Sequence, residues 1–443
     1  MMTDFTIIKR SLRLRLFSTL ITALTVAVAV CLMLVLLSLR DASRSAFNRG
    51  SGNIQLLLSA DSSPMVSVLN AIFYANPPAR AVKWPACQEL LAKYPVDFAI
   101  PIQQGDSYRS FPILATTTQF FSAFQPNGDE KWKLADGEFF KAEFQIVAGA
   151  SVAKVLGLKT GDSFFITHGI SGINDTNEEE RASGGDFPTM KAALAQMHRY
   201  SKYKIVGVLQ PTGTSHDRAL FTDLNSAWIV HAHEKRKLKD PTVTQTTAAD
   251  LAASDQLITG VYVRFKTAPG SSESPALYTA YDDLKRNHPE LTVALPGNEI
   301  DKLFTIVSNI DEVFVAMAAV VMLSSGIAIL LALYNSMEQR RRQVAVLRVL
   351  GCSQVRIFGL VITEAALIGV FGALGGLVLS VMVNQIAARI LDAKLGLALQ
   401  PALLGTPTVL ILFAAVVLAS FAGIIPAVLA YRTTITRSLR PLG

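Results

Sequence analysis

The residues that could do chemistry are few in this sequence, and the histidines are the first candidates. All six lie between residues 168 and 288, and His231 and His233, with Glu234 beside them, bring three potential metal ligands together. If this segment were a strand, His231 and His233 would share a face, and a transition-metal site would be conceivable. The alternative, which we favour, is that histidine collects where most of the polar residues lie. Metal-linked transport or sensing is therefore the weakest functional hypothesis.

Motifs of common catalytic and nucleotide-binding sites are absent from the sequence. It has no G-x-x-x-x-G-K-[ST] loop, no G-x-S-x-G elbow, no H-E-x-x-H pair and no dinucleotide fingerprint. The three cysteines, Cys31, Cys87 and Cys352, are too few for a cysteine-based zinc site, and we expect no disulfide within the chain. We therefore predict no catalytic residue, no enzymatic activity and no cofactor bound by this chain itself.

The most informative segment is a basic stretch, residues 335–364, which reads NSMEQRRRQVAVLRVLGCSQVRIFGLVITE. Apolar residues at 344, 347 and 350 have helical spacing, and Gly351 is a helix terminator. The pattern predicts a short amphipathic helix at the inner membrane surface, either as an interfacial anchor or as a docking site for a cytoplasmic partner. The candidate coupling residues are Glu338, Arg340, Arg341, Arg342, Val344, Leu347, Arg348 and Gly351.

Glu364 is the ionisable residue that falls inside an apolar run, one to two turns from its start. An ionisable side chain in a membrane span is a functional candidate by default, because burying a charge in lipid is costly. The alternative, which we favour, is that Glu364 lies near the interface and pairs with Arg348 or Arg356.

Composition places the chain in a membrane. Of 443 residues, 51% are hydrophobic and 17% charged, and the mean hydropathy is +0.37. These values exclude a mainly disordered chain and disfavour a wholly soluble one. Four apolar runs are long enough to span a bilayer, where about 20 residues are needed. We predict transmembrane helices at residues 16–39, 306–335, 357–390 and 409–431, and the first is too long for a signal peptide.

The distribution of Lys and Arg predicts the orientation of these spans. Basic residues concentrate in the N-terminal segment 1–15, in the link 336–356 and in the tail 432–443, and are sparse in the link 391–408. Both termini are therefore expected in the cytoplasm, and residues 40–305 outside it. The net charge of +7 reflects this topology, and we expect no nucleic-acid partner.

Residues 40–305 are long enough to form a folded domain of their own. Strands are predicted at 145–147, 163–167, 203–209, 219–221 and 260–265, with a short helix at 150–156 that Gly157 ends. The region is therefore expected to be α+β. The acidic, Gly-rich stretch 169–190 is predicted to be a solvated, mobile loop.

At this point the chain resembles ABC-transporter permeases of the MacB/FtsX type (type VII), a group that includes lipoprotein-releasing permeases. Residues 338–351 follow the pattern E-x-R-R-x-x-x-A-V-L-R-x-L-G, and E-A-x-x-x-G follows at 364–369. The run G-I-I-P-A at 423–427 with A-Y-R at 430–432 resembles the closing signature of the family. Two outside stretches, 147–162 and 207–214, resemble it more loosely.

The resemblance implies four membrane helices with a large periplasmic core domain between helices one and two. It also implies a permease dimer in a bacterial inner membrane, served by two copies of a separate ATPase that binds ATP and Mg. Residues 336–356 would then be the coupling helix that meets the ATPase. Closure of the ATPases would move the outside domains, a mode called mechanotransmission.

Two main functions remain open at the level of sequence. The first is export or extraction of an envelope substrate such as a lipoprotein, peptide or drug. The second is transmembrane signalling without transport, in which the outside domain switches a periplasmic partner such as a cell-wall hydrolase. Because both use the same motor, the sequence does not decide between them.

Overall fold

The computed structural model describes residues 13, 16–78, 80–128, 130–168, 201–268, 274–349, 351–395 and 405–432. The chain divides into two compact units. The membrane unit comprises Met1–Ser43, Val307–Arg389 and Gln400–Gly443. The inserted domain comprises Arg44–Ile306 with Ile390–Leu399. The predicted loop at 169–190 lies outside the described residues.

The helices of the described chain fall into long apolar ones and short ones. In chain order they are α1 (Leu16–Gly50), α2 (Pro64–Ala71), α3 (Trp84–Leu91), α4 (Gln119–Ser122), α5 (Ala150–Leu156), α6 (Leu224–Lys239), α7 (Pro275–Asn287), α8 (Pro296–Val349), α9 (Gln354–Leu395), α10 (Thr406–Ala422) and α11 (Ile424–Arg432). Four segments are long and apolar enough to cross a membrane: Leu16–Gly50, Glu312–Met337, Gln354–Ile390 and Thr406–Leu429. With the α+β domain described next, this confirms the predicted fold class.

The inserted domain is built on one large mixed sheet. The strands of this domain are β1 (Leu56–Ser59), β2 (Val82–Lys83), β3 (Val96–Gln103), β4 (Asp106–Tyr108), β5 (Phe111–Thr116), β6 (Leu134–Gly137), β7 (Gln145–Ala148), β8 (Ser163–Phe164), β9 (Thr167–His168), β10 (Tyr203–Leu209), β11 (Leu220–Asp223), β12 (Leu257–Ile258), β13 (Gly260–Phe265) and β14 (Thr292–Ala294). Of these, β2 and β12 pair in a separate two-stranded sheet. The main path runs β14-β1-β13-β3-β5-β11-β7-β10-β6. The pairs β5–β11 and β7–β10 are parallel, and the other neighbours on this path are antiparallel.

Alternation along the strands separates two large cores of this domain, and a third, smaller core lies around α5, β7 and β10. In β1, Leu57 joins an aromatic-rich core, whereas Leu56 and Leu58 point into the opposite one. In β13, Tyr262 belongs to the aromatic core and Val261 to the other. The second core is completed by apolar residues of α3, α6 and α7. Both faces of the sheet are covered around its central strands, so β1, β11 and β13 are buried along nearly their whole length.

Several predicted elements agree with the structure and two differ in detail. The strands β7, β10 and β13 and the helix α5 lie where the sequence predicts them. The predicted strand 163–167 is divided into β8 and β9, and the one at 219–221 is shifted to Leu220–Asp223. Gly157, with φ +66°, ends α5 in a left-handed conformation, as expected of a glycine at this position.

Within the membrane unit, glycines of α9 permit close packing against α1. A Cβ on Gly372 would lie 2.5 Å from Cβ of Val26, and one on Gly376 would lie 2.7 Å from the backbone oxygen of Ala27. The two glycines are four residues apart, so both lie on one face of the helix. Small residues at this spacing let helices approach in lipid, where packing rather than hydrophobicity drives association. The helix α8 also contacts α1, because the Ser325 hydroxyl donates to the Thr25 carbonyl oxygen, at 3.2 Å.

Gly376→Ala should destabilise the membrane unit, because the new methyl group meets backbone that cannot rotate away. We expect a loss of about 1–3 kcal/mol, measured as a lower thermal unfolding midpoint of the detergent-purified chain. Gly359→Ala is the matched control, because a Cβ on Gly359 has no atom within 4 Å. Equal midpoints for the two variants would contradict this account of the α1–α9 contact.

Candidate coupling site

The basic segment is the end of a long helix and not a separate one. Residues 338–349 continue α8 without a break, so the prediction of a short, separate helix is wrong. The reason is local: between Ser336 and Val349 the sequence has no glycine or proline, and most of its residues are good helix formers. The side chains of Glu338, Arg340, Arg341, Arg342, Val344 and Leu347 lie outside the part of the chain whose side chains are described.

A tight turn joins this helix end to α9. Gly351 has φ +90°, a conformation that favours glycine, and its N–H donates to the Arg348 carbonyl oxygen at 3.1 Å. Ser353 begins the next helix, because its hydroxyl accepts from the Arg356 N–H at 3.3 Å and its carbonyl accepts from the Ile357 N–H at 3.2 Å. Gly351 therefore terminates the helix as the sequence predicts.

An apolar cluster holds the turn against the membrane helices. Its buried members come from α9 and α11, and its half-buried members from α8, the turn and α9. The cluster comprises Ile357, Val361, Ala427, Met337, Cys352, Phe358 and Ile362. The turn residue Cys352 therefore shares one apolar cluster with residues of α8, α9 and α11.

Glu364 lies in α9 and is half-buried. Glu364, Arg348 and Arg356 each have an interaction partner within the structure. The pairing of Glu364 with Arg348 or Arg356 near the interface stays a prediction, as does the alternative of a function inside the membrane.

In the inserted domain, α1 and α8 are joined by an aromatic contact, here called the helix joint: Phe47, Phe73 and Phe304, with Arg44 and Asp301. The Phe47 ring centroid lies 4.6 Å from that of Phe73 and 5.6 Å from that of Phe304. Arg44 Nη2 lies 3.4 Å from Asp301 Oδ1, but both side chains are more than half exposed. An exposed ion pair contributes about 0–1 kcal/mol, so the aromatic packing is the stronger link.

Backbone contacts fix the end of α1 beyond the joint. Gly52 has φ +57°, and a Cβ there would lie 2.2 Å from the Gln125 carbonyl oxygen. The Asn53 amide donates to the Ala123 carbonyl oxygen at 3.1 Å and accepts from the Gln125 N–H at 3.0 Å. Arg264 donates to the Asn53 carbonyl oxygen at 2.9 Å. The segment that follows α1 is therefore held by β13, through Arg264, and by the chain just after α4.

His216 lies in the aromatic core, in a 3₁₀ turn at Ser215–Arg218. The ring is fully buried, and its Nδ1 lies 2.6 Å from the Tyr74 hydroxyl. Its aromatic neighbours are Tyr74, Phe120, Phe124, Trp132 and Phe221. Burial lowers the pKa of His216 to about 3, and the Gly50 backbone at the end of α1 offsets this shift in part.

Sequence reasoning gave His216 no role, although it lies two residues after the stretch 207–214, which ends in P-T-G-T. The motif folds back on Asp217, whose carboxylate accepts from the Thr212 and Gly213 N–H groups, each at 2.8 Å. This loop places His216 in the core. The sequence signal that could have identified His216 is its position just after the stretch 207–214, which resembles the permease family.

His231 and His233 do not lie in a strand, so they do not share a face as the hypothesis of a metal site assumed. Both lie in α6, where residues two apart point in different directions. His233 Nδ1 lies 3.1 Å from the Thr246 hydroxyl, and His231 Nε2 lies 3.6 Å from Asp106 Oδ2. Among the described residues, no group of three or more His, Cys, Asp or Glu is placed to hold a metal ion.

Lowering the pH from 7.5 to 5.5 should destabilise the inserted domain through His216. The neutral ring is retained in the folded state, whereas the unfolded histidine, with a pKa of about 6.5, takes up a proton. The contribution of His216 to the free energy of unfolding is therefore fully present above about pH 6.5. As the pH is lowered below that value, it decreases by up to about 1.4 kcal/mol per pH unit until the pH reaches the pKa of the folded state.

All three tryptophans, Trp84, Trp132 and Trp228, lie in this domain, so their fluorescence reports its unfolding midpoint. His216→Asn keeps an acceptor for Tyr74 but cannot titrate, and its midpoint should fall less over this pH range. If the unfolding midpoints of the unsubstituted protein and of His216→Asn fell equally between pH 7.5 and pH 5.5, the buried neutral histidine would not be the cause.

Comparisons with known proteins agree with this arrangement. The MacB-like periplasmic core domain matches residues 19–276, more than half of the chain, and the FtsX-like permease C-terminal domain matches residues 315–435. No curated protein matches the sequence.

Among solved structures, the chain is similar to the extracellular domain of the noncanonic ABC-type transporter YknZ from Gram-positive bacteria, with 12% identity and a TM-score of 0.26. The match covers 54% of this chain and 98% of that one. Because this identity and TM-score are low, the assignment of the family rests on the two family matches alone. On those matches, and with four apolar helices and an α+β domain between the first and second in chain order, the chain belongs to the MacB/FtsX-type family of ABC-transporter permeases.

Proposed function

We propose that the chain is the permease subunit of an ABC transporter that couples ATP hydrolysis by a separate ATPase to motion of the inserted domain. The motion would serve export or extraction of an envelope substrate such as a lipoprotein, peptide or drug. In this proposal the chain lies in a bacterial inner membrane with both termini in the cytoplasm and the inserted domain in the periplasm.

The observation that carries the proposal is the continuity of α1 and α8. They contain 35 and 54 residues, which at about 1.5 Å per residue correspond to about 52 and 81 Å. The hydrocarbon core of a bilayer is about 30 Å thick, so each helix is longer than a span requires. The added length includes the helix joint at one end and, in α8, residues 338–349 at the other. An unbroken helix transmits displacement along its axis, because every turn is hydrogen-bonded to the next.

The proposed partner at the inner end is an ATPase subunit that contacts residues 338–351. The sequence has no P-loop, so ATP and Mg would be bound by the partner. By family likeness, two permeases and two ATPases would form the complex. The basic residues of this segment suit an acidic or polar docking surface on the ATPase.

The apolar cluster around Cys352 is the proposed inner transmission element. ATPase closure would displace the turn at 350–353, and the cluster would move α9 and α11 with it. Because α8 is continuous, the same displacement would reach the helix joint in the inserted domain.

Arg348→Glu should uncouple the permease from its ATPase, because it reverses a charge at the proposed docking segment. We expect ATP turnover of the purified complex to fall at least tenfold, or about 1.4 kcal/mol in coupling free energy. Arg286→Glu is the matched control, since Arg286 is exposed in α7 of the inserted domain.

Co-purification of the ATPase should weaken in parallel with turnover. Undiminished turnover in Arg348→Glu, with the complex intact, would remove the coupling assignment while leaving the family assignment in place.

A further inference from the structure

Two arginines of the inserted domain, Arg109 and Arg218, lie over neighbouring aromatic rings. The guanidinium carbon of Arg109 lies 5.5 Å from the Tyr108 ring centroid, and that of Arg218 lies 5.8 Å from the Phe111 ring centroid. Tyr108 and Phe111 are cross-strand partners in the hairpin of β4 and β5, so their side chains share a face and their Cβ atoms are about 5 Å apart. The two guanidinium groups, here called the arginine pair, therefore lie on adjacent rings.

The backbone places both members of the arginine pair at this point of the sheet. Arg109 and Ser110 connect β4 to β5 and have φ +47° and +68°, and positive φ at both central residues is the mark of a type I′ turn. Arg218 ends the 3₁₀ turn that precedes β11. The register of the parallel β5–β11 pair, continued by two residues, places Arg218 beside Phe111, in agreement with the ring contact.

The positive charges of the arginine pair are not balanced within the described chain. The ion pairs of the described residues include neither arginine. The carboxylates nearest in sequence are engaged elsewhere: Asp217 accepts from the P-T-G-T loop, and Asp106 Oδ2 lies 3.6 Å from His231 Nε2. Burial lowers the pKa of Arg218, which is the shift expected of a cation that no carboxylate offsets.

The nitrogen atoms that a ligand would contact reach the protein surface. Both arginines are half-buried. In each, the Nε atom is buried and lacks an acceptor, whereas the two Nη atoms, which also lack an acceptor among the residues described, are not buried. The Nη atoms carry four of the five N–H donors of a guanidinium group. Because stacking on a ring holds the guanidinium plane, less entropy is lost when these donors bind a ligand.

Charge and geometry together select a phosphate group as the ligand. Guanidinium groups bind carboxylates and phosphates through paired N–H···O hydrogen bonds. A carboxylate has one negative charge, whereas a phosphate monoester carries about −1.5 to −2 at pH 7, close to the charge that two arginines can balance. Its three acceptor oxygens also allow one monoester to accept hydrogen bonds from both guanidinium groups.

We propose that the arginine pair binds a phosphate monoester at the surface of the inserted domain, with the Nη atoms of Arg109 and Arg218 donating to its oxygens. A soluble phosphate ester and a lipid headgroup that ends in phosphate share this chemistry. The site goes beyond the proposed function and does not depend on it, because binding requires no ATPase.

The test is calorimetric titration of the full-length chain in phosphatidylcholine nanodiscs at pH 7.5, with empty nanodiscs as the reference. The monoester probes are glycerol 3-phosphate and dihexanoyl phosphatidic acid, and at least one should bind saturably with one site per chain. Tighter binding of the lipid probe identifies a headgroup as the source, and equal or weaker binding identifies a soluble ester.

Two further probes test the choice of a phosphate monoester. Glycerophosphocholine, a diester, and succinate, a dicarboxylate, should bind at least tenfold more weakly than the preferred monoester. Failure of both monoesters to bind would overturn the assignment, and so would binding of succinate or glycerophosphocholine with the affinity of the preferred monoester.

Substitutions test the arginine pair itself. Arg218→Gln should weaken binding of the preferred monoester at least tenfold, because it removes a charged donor. Arg109→Asn should do the same while keeping the hairpin, because asparagine tolerates a positive φ and is favoured in type I′ turns. Arg286→Gln, a matched substitution at an exposed arginine of α7, should leave the affinity unchanged. Unchanged affinity in Arg218→Gln or in Arg109→Asn, with tryptophan fluorescence of the folded domain, would contradict the site.

Discussion

A backbone that crosses lipid must satisfy its own hydrogen bonds, and the rest of this structure depends on that constraint. It requires helices in the membrane, and two of those helices, α1 and α8, extend past the length that a bilayer needs. The same bonds that make a helix tolerable in lipid also make it stiff along its axis. The large α+β domain is inserted in the chain between these two helices.

The contacts at the two ends of α8 are made differently. After α8 ends at Val349, a glycine with φ +90° and a serine cap form a short turn that packs on an apolar cluster. In the inserted domain, aromatic rings and backbone hydrogen bonds hold α1 and α8 to the sheet. Small residues between α1 and α9 allow close contact in lipid, whereas the inserted domain uses large aromatic side chains. Each choice follows from the surroundings, since hydrophobic burial stabilises contacts in water but not between helices in lipid.

Much of this architecture could be predicted because its signals are local. Apolar runs of about 20 residues predict the spans, and alternation with turn residues predicts β10 and β13. The continuity of α8 through residues 338–349 could have been inferred from the absence of breakers, but the amphipathic spacing suggested a separate helix. For His231 and His233, a strand was considered, although Asp223 is a helix N-cap whose carboxylate accepts from the Asn225 N–H. The burial of His216 depends on contacts with distant segments, such as its pairing with Tyr74, which spacing alone does not reveal.

The most direct test of the central claim uses the proposed complex of two permeases and two ATPases. It measures the distance between the two inserted domains by pulsed electron paramagnetic resonance after reconstitution. A spin label on a noncanonical amino acid at Leu238, whose side chain is 87% exposed, avoids the native cysteines. The account predicts that ATP binding shifts the distance distribution, and that Arg348→Glu removes the shift. An active ATPase with the same distribution in the nucleotide-free and ATP-bound states would contradict it.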